Sequence, residues 1–418
     1  MKESRREFLA RTGAAAVGAR ALFGSRRQTA PSPSPTAPKS FDVAVIGAGA
    51  FGAWTAWHLA HAGRRVVLVD AYGPGNSRAS SGGESRVIRL GYGPDELYTR
   101  LAARSLRLWK ELEASTGQRL FQPTGVLWMA RGEDPQSTST LETLKRLTIP
   151  HQKLSRKDLE TRWPQIAFGP VTWAIFEPAS GALMARRAVQ AVVAEATRAG
   201  AVWKTGAAAP LSGSGRLDSL RLQDGTSVAA GLFVFACGPW LPKVFPDLLG
   251  DRIFPTRQEV FYFGPPPGDA RFASPAMPVW VDFADEIYGL PDIESKGFKV
   301  APDRHGPPFD PDSGDRRITA EGLASVREYV SRRFPDLASA PLVAGEVCQY
   351  ENTSNGDFLI DKHPDRENVW LVGGGSGHGF KHGPAVGEYT AKRIAEGGTG
   401  EKRFSLETKE KVQKRTVF

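Results

Sequence analysis

A short, almost wholly apolar run, Asp42-Val43-Ala44-Val45-Ile46, passes directly into Gly47-Ala48-Gly49-Ala50-Phe51-Gly52. Such a run fits a strand buried on both faces, as in a parallel sheet. A helix is expected through Trp54, Trp57, His58 and Leu59, ended by Gly63, with the aromatic residues and His58 as packing groups. A second apolar strand, Val66-Val67-Leu68-Val69, follows and stops at Asp70. Strand, glycine turn, helix, strand and terminal acid together make a dinucleotide fingerprint. Gly47 permits the tight turn, Gly49 lets backbone approach a pyrophosphate, and Gly52 lets helix pack on strand. The helix N-terminus offers unpaired N–H groups to phosphates, and Asp70 is a carboxylate for ribose hydroxyls. The alternative, a Gly-rich turn with only a structural role, leaves the terminal acid unexplained.

Further elements follow from periodicity. Pro94 to Thr116 reads as an amphipathic helix with Leu97, Leu101, Leu108 and Leu112 on one stripe. A second helix is expected from Arg187 to Arg198, with Gly200 after it. Strands are expected at 126–129, 232–236 and 369–372, and a hairpin turn at Asp224-Gly225. The last strand enters a second glycine-rich run, Gly373 to Gly379. Segments 264–275 and 302–316, rich in Pro, Gly and Asp, read as surface loops.

The net charge of +9 is concentrated at the two ends. Residues 1–40 carry eight Lys/Arg against two Glu, and residues 401–418 carry six against three. The body between is neutral, so no basic groove and no nucleic-acid partner is expected. Ser4-Arg5-Arg6-Glu7-Phe8-Leu9, followed by the weakly apolar Ala14 to Ala19, is a twin-arginine pattern, which predicts export through that machinery. A plain basic tail is the alternative. The apolar stretch falls short of the roughly 20 residues that span a bilayer. Pro31, Pro33, Pro35 and Pro38 then make a stiff linker. Export permits disulfides, and the chain has two cysteines, Cys237 and Cys348, which could pair. No metal site is expected.

Several separated motifs agree in order along residues 41–395. They are Ser85-Arg86-Val87-Ile88-Arg89, Thr124-Gly125-Val126-Leu127, Phe176-Glu177-Pro178, Ile287-Tyr288-Gly289-Leu290-Pro291 and Gly297-Phe298-Lys299. Gly181, Arg257-Gln258, Val347-Cys348-Gln349-Tyr350, Phe358-Leu359-Ile360-Asp361 and Ser376-Gly377-His378-Gly379-Phe380-Lys381 complete the set. With these, the chain resembles the flavin amine oxidases of the monomeric sarcosine oxidase and N-methyltryptophan oxidase group, in the D-amino acid oxidase superfamily. The resemblance implies an α/β fold with a Rossmann-like FAD-binding domain and a discontinuous α+β substrate domain, its antiparallel sheet over the flavin. The FAD-binding part is expected from 41–93, 151–238 and 345–400, and the substrate part from 94–150 and 239–344. Residues 1–40 would be signal and linker, and 401–418 a basic tail.

The resemblance also implies roles. FAD would be held by Gly47, Gly49, Gly52, Asp70, Gly377, His378 and Gly379, and bonded covalently from Cys348 to the 8α-methyl of its ring. A disulfide to Cys237 would forbid that bond. Arg89 and Lys381 would hold a substrate carboxylate, Arg86 would lie against the flavin, and Tyr288 and Tyr350 would line the pocket. Lys299 would activate dioxygen. The expected reaction is hydride transfer from a neutral secondary amine to flavin N5, with O2 reduced to hydrogen peroxide by a monomeric enzyme. Two places depart from the family pattern. Ala79-Ser80-Ser81-Gly82-Gly83 lacks the family's histidines, and Asp303 stands where a histidine is usual, with His305 two residues on. A carboxylate there repels a substrate carboxylate, which puts sarcosine itself in question and leaves larger N-alkyl or cyclic amino acids equally open. A dehydrogenase feeding a quinone or protein carrier, and a flavin-binding protein without catalysis, are the rival functions.

Overall fold

A computed structural model of the chain describes residues 40–414. The twin-arginine pattern and the Pro-rich linker lie outside the described residues.

The fingerprint region folds as its sequence dictates. Phe41–Ile46 and Val66–Asp70 are parallel neighbours, with Val43 opposite Val66. On its other side Phe41–Ile46 pairs in parallel with Ser227–Phe235. The sheet runs in the order Leu359–Lys362, Val369–Gly373, Ser227–Phe235, Phe41–Ile46, Val66–Asp70, Val202–Thr205, and Ser219–Arg221 adds antiparallel to Ser227–Phe235. The Leu359–Lys362 strand is antiparallel to its neighbour and the other four pairings along this order are parallel. Strand order therefore reverses at Phe41–Ile46, which opens a crevice beyond the strands' carboxyl ends. Helix Ala50–His61 packs on this sheet between Ala185–Arg198 and Gly383–Glu396. Its close seat depends on glycine: a Cβ on Gly387 would lie 2.5 Å from the Trp54 carbonyl carbon.

A second sheet of eight strands runs Leu342–Thr353, Ile253–Phe263, Phe298–Pro302, Ile287–Leu290, Val279–Asp282, Val126–Ala130, Trp173–Glu177, Gln152–Ser155. All its pairings are antiparallel except Val279–Asp282 with Val126–Ala130. The long pair places Gln258 opposite Cys348 and Thr256 opposite Tyr350. Trp280, Phe298 and Phe334 fill one face beneath helix Ala320–Arg333. A small sheet of Arg86–Ile88, Gly181–Leu183 and Phe121–Gln122 joins the two layers, pairing Arg86 with Leu183.

The sheets do not follow the segment boundaries expected from sequence. Gln152–Ser155 and Trp173–Glu177 pair into the eight-stranded sheet, because Trp173–Glu177 forms a full ladder with Val126–Ala130. A boundary at 345 would cut the continuous strand Leu342–Thr353. Residues 401–414 are not a free basic tail. Arg403 forks to Asp95 and Asp357, Phe404 is buried, and the fully buried Lys409 donates to the Arg403 carbonyl. Lys411 and Lys414 pair with Asp251 and Glu410.

Candidate active site

Three glycines shape the crevice in different ways. Gly47 has φ +103°, and a Cβ on it would lie 2.2 Å from the Ala236 carbonyl oxygen. A Cβ on Gly52 would lie 1.8 Å from the Gly47 carbonyl oxygen. Both are required by backbone packing alone. A Cβ on Gly49 would meet only Ser81 Oγ, at 3.5 Å, since Gly49 faces a cavity of about 420 Å³. Asp70 closes the turn: Oδ2 accepts from Ala48 N–H, and Oδ1 from Tyr72 and Gly73 N–H, at 2.8–2.9 Å. Its carboxylate still reaches the cavity with its remaining lone-pair capacity.

The far end of this cavity is built by the second sheet and the second glycine run. Gly377 has φ +79°, and a Cβ there would lie 2.8 Å from the Tyr350 ring. A Cβ on Gly379 would press on Gly375 and Phe51. The Arg86 guanidinium donates to the carbonyls of Ser80 and Ser85, at 2.5 and 2.8 Å, and to Cys348 Sγ at 3.3 Å. Cys348 and Cys237 are both free thiols, so the disulfide alternative does not form. Cys237 donates to the Ile46 carbonyl, and burial pushes its thiol far up. Lys299, 1% exposed, donates to the Ser85 carbonyl at 2.7 Å. Burial, then the Arg86 charge, pull its ammonium down to about 7.

A smaller cavity of about 70 Å³ opens beside this end, with Arg86, Tyr350, Gly377 and Phe380 common to both. Arg89 and Lys381 face it together with Tyr288 and Asp303. Arg89 is sandwiched by the Tyr92 and Trp128 rings, at 4.1 and 4.8 Å, and donates to the Gly91 carbonyl. Buried Glu177 fixes this turn by accepting from the N–H groups of Leu90, Gly91 and the Trp128 indole and from Ser180 Oγ. Lys381 donates to Tyr92 Oη and the His378 carbonyl, each at 3.0 Å, which leaves one of an ammonium's three donors for a ligand. Burial first, and the nearby Arg89 charge second, hold Lys381 well below the usual lysine value. Tyr350 Oη donates to Asp303 Oδ1 at 3.2 Å. Burial raises the Asp303 carboxyl, against the opposing pull of Arg89.

The structure thus brings Arg86, Arg89, Lys381, Tyr288, Tyr350 and Cys348 around two adjoining cavities, while Lys299 lines neither and sits behind them on the Ser85 carbonyl. His378 is the exception. Its ring stacks on Phe358 and meets the Gly356 carbonyl and Tyr92 Oη, so it borders the smaller cavity and not the larger one. The 302–316 segment is more than a surface loop. Asp303 enters the smaller cavity, while Asp312 binds Trp240 and Lys243 at the rim of the larger. Sequence reasoning passed over Glu351, whose buried Oε2 has no hydrogen-bond partner and which lines the larger cavity. No motif marks it, and its strand also holds Glu346, Gln349 and Asn352, so the sequence offers no signal for it.

The family model described as FAD dependent oxidoreductase (DAO) matches residues 42–393. The chain belongs to this family. Its relatives include monomeric sarcosine oxidase of Bacillus sp. (strain B-0618), 32% identical over 394 residues, 90% of this chain and 99% of that one. Peroxisomal sarcosine oxidase of Homo sapiens is 31% identical, covering 83% and 90%. N-methyl-L-tryptophan oxidase of Yersinia pestis (strain Pestoides F) is 30% identical, covering 84% and 94%. Among solved structures, L-proline dehydrogenase from P. horikoshii shares the fold with a TM-score of 0.76 at 21% identity, covering 88% of this chain and 98% of that one. The residues fit FAD on three counts. Gly49 opens onto the cavity, Gly377 makes room beside Tyr350, and Glu351 Oε2 is an orphaned polar atom awaiting a partner.

Proposed function

We propose that this flavoenzyme is an oxidase of small secondary amino acids. One observation carries the reading: Arg89 and Lys381 face a small cavity that shares its wall with the end of the cofactor cavity holding Arg86 and Cys348. Two cations at one end of such a space hold a carboxylate and so direct the adjacent carbon and nitrogen toward the shared wall. FAD, when bound, supplies a two-electron acceptor that dioxygen regenerates with release of hydrogen peroxide. Arg86 is placed to balance negative charge at that end, and Lys299, behind it on the Ser85 carbonyl, adds a second cation where reduced oxygen develops charge. Tyr288 and Tyr350 exclude water. Cys348, beside the Arg86 guanidinium and outside any disulfide, is the thiol for a covalent bond to the flavin.

Asp303 shapes the choice of substrate. Its carboxyl, raised by burial and hydrogen-bonded by Tyr350, is the acceptor within the smaller cavity for a substrate N–H. A small N-methyl or cyclic amino acid brings one carboxylate to Arg89 and Lys381 and one amine to Asp303, matching the cavity's charges. The names of the relatives, sarcosine oxidase and N-methyl-L-tryptophan oxidase, support the secondary amine. Monomeric action follows the same relatives, and export rests on the twin-arginine pattern of residues 4–9.

The test is an oxygen electrode with peroxide detection across N-methyl, cyclic and primary amino acids. The reading expects oxygen uptake with equimolar peroxide for at least one secondary amino acid, abolished in Arg89→Met. Turnover only with an artificial acceptor would favour the dehydrogenase. Denatured protein should stay yellow, with the mass of FAD on the Cys348 peptide; release of all flavin would remove the covalent link alone.

A further inference from the structure

Glu351 is 9% exposed and lies in the strand Leu342–Thr353, three residues beyond Cys348. Its Oε1 accepts the Gly375 N–H at 3.2 Å, and its Oε2 has no partner. Among the described residues no cation forms an ion pair with it. A buried, ionised and unpaired carboxylate costs several kcal/mol, so such a group either holds a proton or waits for a ligand. Oε2 sits where three turns converge. A Cβ built on Gly373 would lie 3.3 Å from it, and one on Gly238 would lie 3.7 Å away. Gly238 follows Cys237 at the fingerprint end of the cavity, whereas Gly375 leads to Gly377 at the Arg86 end. Glu351 therefore stands between the helix N-terminus that receives phosphates and the end that receives the flavin ring.

We infer that Glu351 is a cofactor-binding residue that carries a proton and donates it, from Oε2, in a hydrogen bond to the oxygen-rich chain joining the two ends of FAD. A neutral carboxyl satisfies its own orphaned atom this way and avoids repelling the diphosphate. Burial already pushes Glu351 up to about 7, with the Gly375 and Gly374 N–H groups pulling the other way. The sign follows. An anionic ligand favours the protonated form, so FAD binding takes up a proton and its affinity falls as pH rises past Glu351's free value. Other titratable or charged groups face the same cavity: Asp70, Tyr72, Arg86, Cys237, Lys243 and Asp312, and Cys348 and Tyr350 on the same strand. A comparison of Glu351 with its neutral isostere separates its contribution from theirs.

The experiment measures FAD affinity by fluorescence in a Cys348→Ser background, where binding is a reversible equilibrium whether or not the native chain forms a covalent bond. Glu351→Gln should bind within about threefold of its parent at neutral pH and lose the part of the pH dependence that the parent shows above 7. Glu351→Leu should weaken FAD by about tenfold to a hundredfold, the scale of one lost hydrogen bond in a buried site. The infrared difference spectrum of the FAD-loaded parent should show a protonated-carboxyl band that Glu351→Gln lacks. If Leu proves unable to fold, the Gln pH profile and the infrared band decide. Identical pH profiles for parent and Gln with no such band would overturn the proposal, as would parental FAD affinity in a folded Leu variant. None of these readouts depends on which amine the enzyme oxidises.

Discussion

Two buried lysines carry opposite assignments in this site, and protonation separates them. Lys299 is held near 7 by burial, so its ammonium is present below that value and lost above it. If that cation speeds reduction of dioxygen, reoxidation by air slows as pH climbs through about 7 and beyond. Lys299→Met should react slowly with oxygen at every pH while its reduction by substrate stays within a few-fold; stopped-flow measurement of both half-reactions checks this. Lys381, held well below the usual lysine value, must gain a proton to hold a carboxylate. Its affinity for an amine-free acid such as propionate should therefore fall with rising pH, by up to tenfold per unit for one coupled proton. Asp303 faces the same space and ionises in the same direction, so the slope left in Lys381→Met belongs to Asp303. An unchanged slope in that variant would remove Lys381 from the carboxylate site. The identities of these residues were legible in sequence as motif members. Their protonation was not, because it depends on burial by strands far apart in the chain. Glu351 was not legible at all, since only the convergence of Gly238, Gly373 and Gly375 around it reveals an unpartnered acid.

At the scale of elements, the fingerprint's glycines divide into those that serve the fold and one that serves the ligand. Gly47→Ala drives a Cβ into the Ala236 carbonyl at a positive φ and should lower the yield and melting temperature of the apoprotein. Gly49→Ala has open protein space around it and should leave apoprotein melting within about 1 °C while FAD affinity drops at least tenfold. Calorimetry with FAD titration distinguishes the two; a Gly49→Ala apoprotein as unstable as Gly47→Ala would contradict the division. This unit was readable from sequence because strand, turn, helix and strand are contiguous between 41 and 70. The eight-stranded sheet was not. Its partners lie up to 153 residues apart, as between Val126 and Val279, and the short strands Gln152–Ser155 and Trp173–Glu177 declare their sheet only by pairing.

Over the whole molecule, charge placed at the chain's end proves structural. Arg403 ties the segment to Asp95 and Asp357, Phe404 packs against Phe358, and Gln413 contacts His305 next to the Asp303 loop. Composition alone reads this segment as a solvated basic tail, because a charge count says nothing of partners brought by the fold. Truncation after residue 400 should lower the melting temperature by roughly 5 °C or more, since removing one buried aromatic such as Phe404 already costs about 3–5 kcal/mol. An unchanged melting curve would show the segment to be dispensable. The same fold brings Arg89 and Lys381 beside the cofactor crevice, and from that meeting the activity is inferred. Anaerobic titration of the flavin-loaded enzyme with N-methyl and cyclic amino acids tests it most directly. The account predicts that at least one of them bleaches the flavin absorbance and that air restores it. Bleaching by none of them, with FAD bound and the protein folded, would contradict it.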